Sequence, residues 1–258
     1  MSDEARRAWA FMRRADARGT DERPFAFGTA VLTPELPKRY DSNFLYVDEL
    51  RSGTSAAELA AASDRVFRDA GLEHRALVFP HAQDGERLAP AFPGWDVHRN
   101  VVMVQRRPPD ELPDTSTVEE LDEAALRPAR RAQILTYPWG SPDVAEQLLD
   151  ARTLLARWVS VRCFAVHVGG EVVSYTDLYA EGDEAQIEDV ATAEAHRGRG
   201  YAKAVVIRAV QEARAGGAEF VFLVADEADW PKELYRRLGF ETVGRYVKLY
   251  RPTSARSE

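Results

Sequence analysis

The chain carries one cysteine, Cys163, in 258 residues. No intramolecular disulfide and no cysteine-rich zinc site can form. The thiol lies in the strand-like run "VSVRCFAV" and reads as a small buried side chain. The five histidines are scattered without metal-ligand spacing, so no metal is expected. No apolar run approaches the ~20 residues that span a bilayer. The opening "MSDEARRAW" has no apolar stretch of the signal-peptide kind. The expectation is a soluble, cytoplasmic protein with no membrane partner. A basic excess is missing too: 34 Lys and Arg face 42 Asp and Glu, a net charge of −8. That argues against a nucleic-acid partner, which requires a basic footprint.

What is present is a 45% apolar share, enough for a packed core, and a length that suits one large domain or two small ones. Ser2 can cap a helix over 3–18 with Gly19 as its stop, its face formed by Ala5, Ala8, Trp9 and Met12. Strands are expected at 25–32 and 43–48, and a helix follows with a capping box from Ser55 to Glu58 and Gly71 as its stop. Strands at 75–79 and 99–105 flank a ragged stretch with Pro90, Pro93, Gly94 and Trp95. The Pro-rich "RRPPDELPDTST" reads as a linker, so two domains are expected, 1–108 and 109–258. Beyond it come helices at 119–135 and 142–158, then strands near 160–168, 171–180 and 185–192, the first two joined by Gly169-Gly170. A helix over 200–215, a strand 219–225, a helix 230–238 and a strand 241–250 complete the pattern. This is a mixed α/β (α+β) fold with a partly parallel sheet flanked by helices.

The two halves also repeat. Gly71 to Gly94 spans 23 positions, as does Gly216 to Gly239, and the two pairs lie 145 residues apart. At that offset Trp95 falls on Phe240, and the order of elements agrees. The copies differ at one turn, where "RSGTSA" (51–56) stands for "HRGRGY" (196–201).

That turn, in "AEAHRGRGYAKAVV", opens a helix. Backbone N–H groups are unpaired there and the potential is positive, so a phosphate can bind. Glycines permit close approach, and arginines add charge. A P-loop would need Gly-x-x-x-x-Gly-Lys-Ser/Thr, which the chain lacks. A dinucleotide fingerprint would need a third glycine where Lys203 stands. The pattern Arg-x-x-Gly-x-Gly/Ala is satisfied by Arg197-Gly198-Arg199-Gly200-Tyr201-Ala202. Taken alone the hexapeptide is equally compatible with a basic surface turn.

In its wider context, "IEDVATAEAHRGRGYAKAVV" resembles the acetyl-CoA-binding motif of GCN5-related N-acetyltransferases. "FVFLVADEADWPKELYRRLGF" is similar to the strand, helix and Leu-Gly-Phe that follow it in that family. The resemblance covers about half the chain and, through the repeat, extends weakly to residues 20–106, which look like a degenerate second copy. It implies that Val190, Ala191 and Thr192 offer backbone groups to the pantetheine arm. Residues Arg197 to Ala202 would hold the pyrophosphate, and Tyr235 would protonate the departing CoA thiolate. The other reading of Tyr235 is a core aromatic beside Leu238 and Phe240. Glu188, nine residues before Arg197, stands where many members place a base. A carboxylate with a reference pKa of about 4.3 serves poorly unless burial raises it, and a structurally paired strand-end acid is the alternative. Asp189 is expected on the opposite strand face, as a structural acid. An asparagine that many members carry seven residues before the tyrosine is Ala228 here. Tyr137 and Trp139, between the first two helices of this half, would form an aromatic wall for the acceptor or else pack.

The resemblance implies direct transfer of acetyl from acetyl-CoA to a primary amine of a small-molecule acceptor, by a monomer or homodimer with one active domain. The alternatives are a non-catalytic acyl-CoA-binding or sensing module, and a transferase of a longer acyl or aminoacyl group. The first copy is not expected to bind acetyl-CoA, because Ser52, Ser55 and Pro90 stand at the places of Arg197, Gly200 and Tyr235.

Overall fold

The computed structural model describes residues 1–17, 20–39, 42–155 and 160–251. Gly19 and the 156–158 end of the expected 142–158 helix lie outside them. In chain order the elements are α1 (Asp3–Ala17), β1 (Asp21–Phe25), β2 (Gly28–Leu32), β3 (Phe44–Val47), α2 (Ala56–Asp69), β4 (Arg75–Phe79), α3 (Ala82–Leu88) and β5 (Asp96–Gln105). There follow β6 (Val118–Leu121), α4 (Glu123–Leu135), α5 (Pro142–Leu155), β7 (Ser160–Val168), β8 (Glu171–Glu181) and β9 (Glu184–Thr192). The chain continues through α6 (Tyr201–Ala215), β10 (Phe220–Asp226), α7 (Pro231–Arg237) and β11 (Phe240–Arg251).

Two compact units result. The first comprises Met1–Val102, Asp226–Ala228 and, of the last strand, residues 243–251; the second comprises Met103–Ala225 and Asp229–Thr242. In the first, β1, β2 and β3 form an antiparallel run, β3 pairs parallel to β4, and β4 pairs antiparallel to the 247–251 part of β11. Its core gathers Leu45, Leu59, Phe67, Leu77, Phe79, Val247 and Leu249, all fully or nearly fully buried. Helix α1 turns Ala5, Ala8 and Phe11 inward, with Trp9 half-buried. In the second unit β6, β7, β8 and β9 form an antiparallel meander and β10 joins β9 in parallel. The β7–β8 turn has Gly169 and Gly170 at φ 62° and 86°, the left-handed pair that a two-residue hairpin demands.

Three local expectations change. The single strand expected at 25–32 is a hairpin that turns at residues 26–27, and Pro24 lies in β1 at its edge, where no ladder donor is missed. Residues 82–88 form a short helix within the stretch read as ragged. Helix 119–135 begins only at Glu123, because Val118–Leu121 pairs with β7 and Asp122 caps the helix by accepting from the Ala125 N–H at 2.7 Å. Glu119 and Glu120 have helix propensity, but an inward Val118 and the cross-strand pair of Glu120 with Arg162 favour the strand.

The Pro-rich segment is tied down. The N–H groups of Arg106 and Arg107 donate to the Gly239 carbonyl at 3.0 and 3.4 Å, and that of Asp110 to the Arg237 carbonyl at 2.8 Å. The Arg107 guanidinium adds the Arg236 carbonyl at 2.8 Å. Carbonyls of the last turn of α7 and of Gly239 beyond it thereby gain partners, and the Arg236 carbonyl also accepts from the Gly239 N–H at 3.1 Å. Gly239 has φ +92°, and a Cβ on it would collide with the Arg107 carbonyl oxygen. Gly217 has φ +93° with open space around it. Gly239→Ala is therefore expected to cost about 2–4 kcal/mol of stability, and Gly217→Ala about 1–2 kcal/mol from backbone strain alone. Thermal unfolding of both variants checks this, and equal losses would show that the strap makes no close contact.

Candidate active site

The site starts from a sheet that does not close. Parallel pairing of β9 with β10 runs from Glu184↔Phe220 to Ile187↔Leu223 and stops there. Residues 188–192 keep β8 on one side only. Just beyond the last pair the β8–β9 register slips: Asp177 faces Glu188 and Tyr175 faces Ala191, so Thr176 stands opposite both Asp189 and Val190. This is a β-bulge, which bends and twists its strand. Asp189 has φ 51°, the one positive φ outside glycine among the described residues. The Thr176 hydroxyl donates to the Glu188 carbonyl and the Ser174 hydroxyl to the Ala191 carbonyl, each at 2.9 Å, which fastens the bulged segment to β8.

From the end of β9 a short 3₁₀ turn leads to Arg197, whose Nε reaches the Thr192 carbonyl at 3.4 Å. Gly198 and Gly200 take φ 76° and 86°, values that account for both glycines of the turn. Gly200 is the N-cap of α6 and offers no side-chain cap, and the first turn of the helix carries no acid. The N–H groups there are free by geometry, beside the exposed Arg197 and Arg199. At the other end of the 145-residue offset stands α2, which differs at each of these points. Ser55 accepts from the Glu58 N–H, and Glu58 accepts from the Ser55 N–H at 2.9 Å. Glu58 occupies the place of Lys203, and the Ser55 backbone bond holds its carboxyl below the usual range.

Tyr235 lies on α7, buried, with its ring 6.2 Å from that of Phe240 in an edge-on contact. Burial, then the charges of Glu188 and Asp229, push its phenol well above the ordinary tyrosine value. The field of Glu188 also reaches Tyr179, whose phenol is pushed up to about 12, first by burial. Glu188 accepts from the Gln186 amide. Tyr137 and Trp139 lie between α4 and α5, stacked on each other at 4.8 Å and 14°, and are 41% and 45% exposed. Neither belongs to the core. Tyr137 is near enough to Tyr175 to contribute to the upward shift that burial mainly imposes on that phenol.

One cluster escaped the sequence reading. Arg130 on α4, 1% exposed, reaches Asp177 at 2.5 Å, Glu123 at 3.2 Å and Asp189. Arg152 on α5 joins the same three acids. Burial opposes the Arg130 charge, but Asp189 and Glu123 offset it, and the guanidinium stays ionised. Cys163 is buried beside it, 3.6 Å from Arg130, its thiol raised by that burial. The available signal was Asp177 itself, a carboxylate among inward residues of the apolar run "VVSYTDLYA", which cannot stay charged without a buried cation. Asp189 corrects an expectation as well. It shares a face with Glu188 rather than opposing it, because the left-handed backbone at 189 breaks the alternation of the strand.

The profile of the Acetyltransferase (GNAT) family matches residues 124–240, the span that holds this geometry. Over 156 residues the chain is 33% identical to the streptothricin acetyltransferase of Streptomyces lavendulae, covering 56% of this chain and 79% of that protein. The chain belongs to the GNAT acetyltransferase family. The fold of this GNAT enzyme is shared along nearly its whole length with solved structures. A conserved protein of unknown function from Staphylococcus epidermidis matches with a TM-score of 0.70 at 15% identity, over 92% of this chain and 95% of that one. A GCN5-related N-acetyltransferase from Kribbella flavida matches with a TM-score of 0.62 at 20% identity, over 98% and 96%. Among the described residues of the GNAT enzyme no group of three or more His, Cys, Asp or Glu could hold a metal, and no helix is long and apolar enough to cross a membrane.

The buried phenols have a consequence for stability. In the unfolded chain each ionises near ~10, whereas Tyr175, Tyr179 and Tyr235 hold their protons to higher pH when folded. Their contribution is intact below about pH 10 and is lost as pH rises, by about 1.4 kcal/mol per pH unit for each phenol. For Tyr179 the loss runs until about 12. Urea midpoints should hold steady to about pH 9.5 and then fall, less steeply in Tyr179→Phe. An equal slope in that variant would mean that Tyr179 does not carry the shift.

Proposed function

We propose that this acetyltransferase moves the acetyl group of acetyl-CoA directly to a primary amine of a small-molecule acceptor. The observation that carries the reading is the open edge of β9 over 188–192, continuous with the uncapped N-terminus of α6 at Gly200. The backbone of Val190, Ala191 and Thr192 would pair with the pantetheine arm. The N–H groups and arginines of residues 197–202 would receive the pyrophosphate.

In the transfer, the free amine attacks the thioester carbonyl, the C–S bond breaks, and the nitrogen sheds a proton. Glu188 would take that proton, directly or through water, and Tyr235 would face the departing sulfur. A phenol raised above its usual range is fully protonated at neutral pH, so the donor is loaded. It is a weaker acid than a thiol, whose reference value is about 8.5. Tyr235 therefore stabilises the thiolate by a charge-assisted hydrogen bond as much as by proton transfer. The exposed Tyr137–Trp139 stack would form one wall for the acceptor. The similarity to the streptothricin acetyltransferase of Streptomyces lavendulae makes streptothricin the first acceptor to try.

The first unit would not bind acetyl-CoA. Its strand β3 ends at Val47, one residue past its last parallel pair, Tyr46↔Val78, so it offers no strand edge like that of 188–192. The N-terminus of α2 is filled by its own Ser55 and Glu58, and Pro90 lies in a 3₁₀ turn. Its role would be structural or substrate-shaping.

Arg197→Glu and Gly200→Asp should each weaken CoA binding by well over tenfold, since a carboxylate would meet the pyrophosphate. Ser52→Glu should leave it unchanged. Calorimetric titration with CoA decides, and the reverse order would exchange the roles of the two units. Tyr235→Phe should keep CoA affinity and lower turnover on the order of 10²-fold, measured by thiol release with streptothricin and an amine panel. Near-normal turnover would make Tyr235 a packing residue. Longer acyl-CoA donors in the same assay test the donor, and faster turnover with them would replace acetyl.

A further inference from the structure

The buried ion cluster surrounds the one place where the second unit departs from a regular sheet. Directly opposed residues of an antiparallel pair share a face. Asp177, Glu188 and the pair Tyr179 and Gln186 therefore stand on one face, the face on which Arg130 meets Asp177. In an unbroken strand Asp189 would point away from it. Its positive φ returns the carboxylate to that side, where Arg130 and Arg152 bind it. Asp177, also held by both arginines, faces the residue just before the bulge. Parallel pairing with β10 ends at Ile187, two residues earlier.

The first unit supplies an internal control. Leu77 and Val78 of β4, at the 145-residue offset from Phe222 and Leu223, pair with Leu45 and Tyr46, which therefore stand where Gln186 and Ile187 stand. There β2 and β3 pair from Val31↔Phe44 to Gly28↔Val47 without a slip, and β3 ends at Val47, one residue past its last pair with β4. The bulge and a strand that continues well past the last parallel pair occur together in one unit and are together missing from the other. Buried ion pairs contribute little to net stability relative to apolar packing, so geometry is the better account of why five charges converge here.

We propose that Arg130 and Arg152 are positioning residues for acetyl transfer: by binding Asp189 they hold the bulge that parts β9 from β10, frees the backbone of 190–192 and sets Glu188 toward Tyr235. The inference rests on the site reading above for the roles of Glu188 and Tyr235, while the link from bulge to open edge stands on the sheet itself. Neither arginine touches the reacting atoms in this account; both act through the Asp189 backbone.

The test exploits the left-handed backbone. Asp189→Val removes the carboxylate and disfavours positive φ; Asp189→Gly removes the carboxylate and favours it. Asp189→Val is expected to weaken CoA binding about tenfold or more and to lower turnover on the order of 10²-fold through misplacement. Asp189→Gly should recover both to within about threefold of the parent protein. Arg152→Gln should lower kcat/KM about fivefold in the parent and less than about twofold in the Asp189→Gly background, since Asp189→Gly removes the carboxylate through which the arginine reaches the bulge. An active Asp189→Val, an Asp189→Gly no better than Asp189→Val, or an Arg152→Gln loss equal in both backgrounds would overturn the proposal. Should Asp189→Val not fold, the Arg152 cycle decides. Normal turnover in Glu188→Gln and Tyr235→Phe, with Asp189→Val crippled, would sink the catalytic assignments and uphold the bulge.

Discussion

Strand β9 has more backbone than its neighbour β10 can pair with. Past Ile187 the bulge adds a residue and turns the strand, and the segment to Thr192 has β8 on one side only. Unpaired backbone groups in a sheet interior are costly unless something else binds them, so an open edge of this kind invites an extended ligand with amide groups of its own. The turn that follows continues the same logic. Gly198 and Gly200 take left-handed backbone there, and no side chain caps the first turn of α6.

Comparison of the two units shows what the site requires. They share the order strand, helix, strand, helix, strand, and α2 and α6 begin at equivalent positions of the 145-residue offset. Yet in the first unit β3 ends one residue past its last parallel pair, and a serine and a glutamate close its helix. A few substitutions at a turn separate a helix end that can receive an anion from one that carries a negative charge already.

Two guanidiniums and three carboxylates in the second unit come from α4, α5, β8 and β9. Desolvating them is expensive, and their mutual attraction is recovered only in one arrangement. Such a cluster is poorly suited to adding stability and well suited to selecting a geometry. Here that geometry includes an aspartate in a backbone conformation uncommon for any residue but glycine.

Much was legible locally. The α6 turn, the Gly169-Gly170 hairpin, strands β7 to β9 and the Ser55–Glu58 box follow from steric and hydrogen-bonding preferences that act within a few residues. Those preferences also marked the glycine-arginine turn of residues 197–202, whereas Tyr235 was singled out by the family resemblance. What the tertiary structure alone decided is of another kind. Whether Val118–Leu121 extends a helix or joins β7 depends on a partner strand more than 40 residues away. The bulge at Asp189, the side on which its carboxylate lies and the burial of Arg130 depend on charges brought together from four elements. Local preference has no access to a Coulomb partner distant in sequence, and a one-residue register slip leaves no trace in the alternation of side chains until both strands are in place.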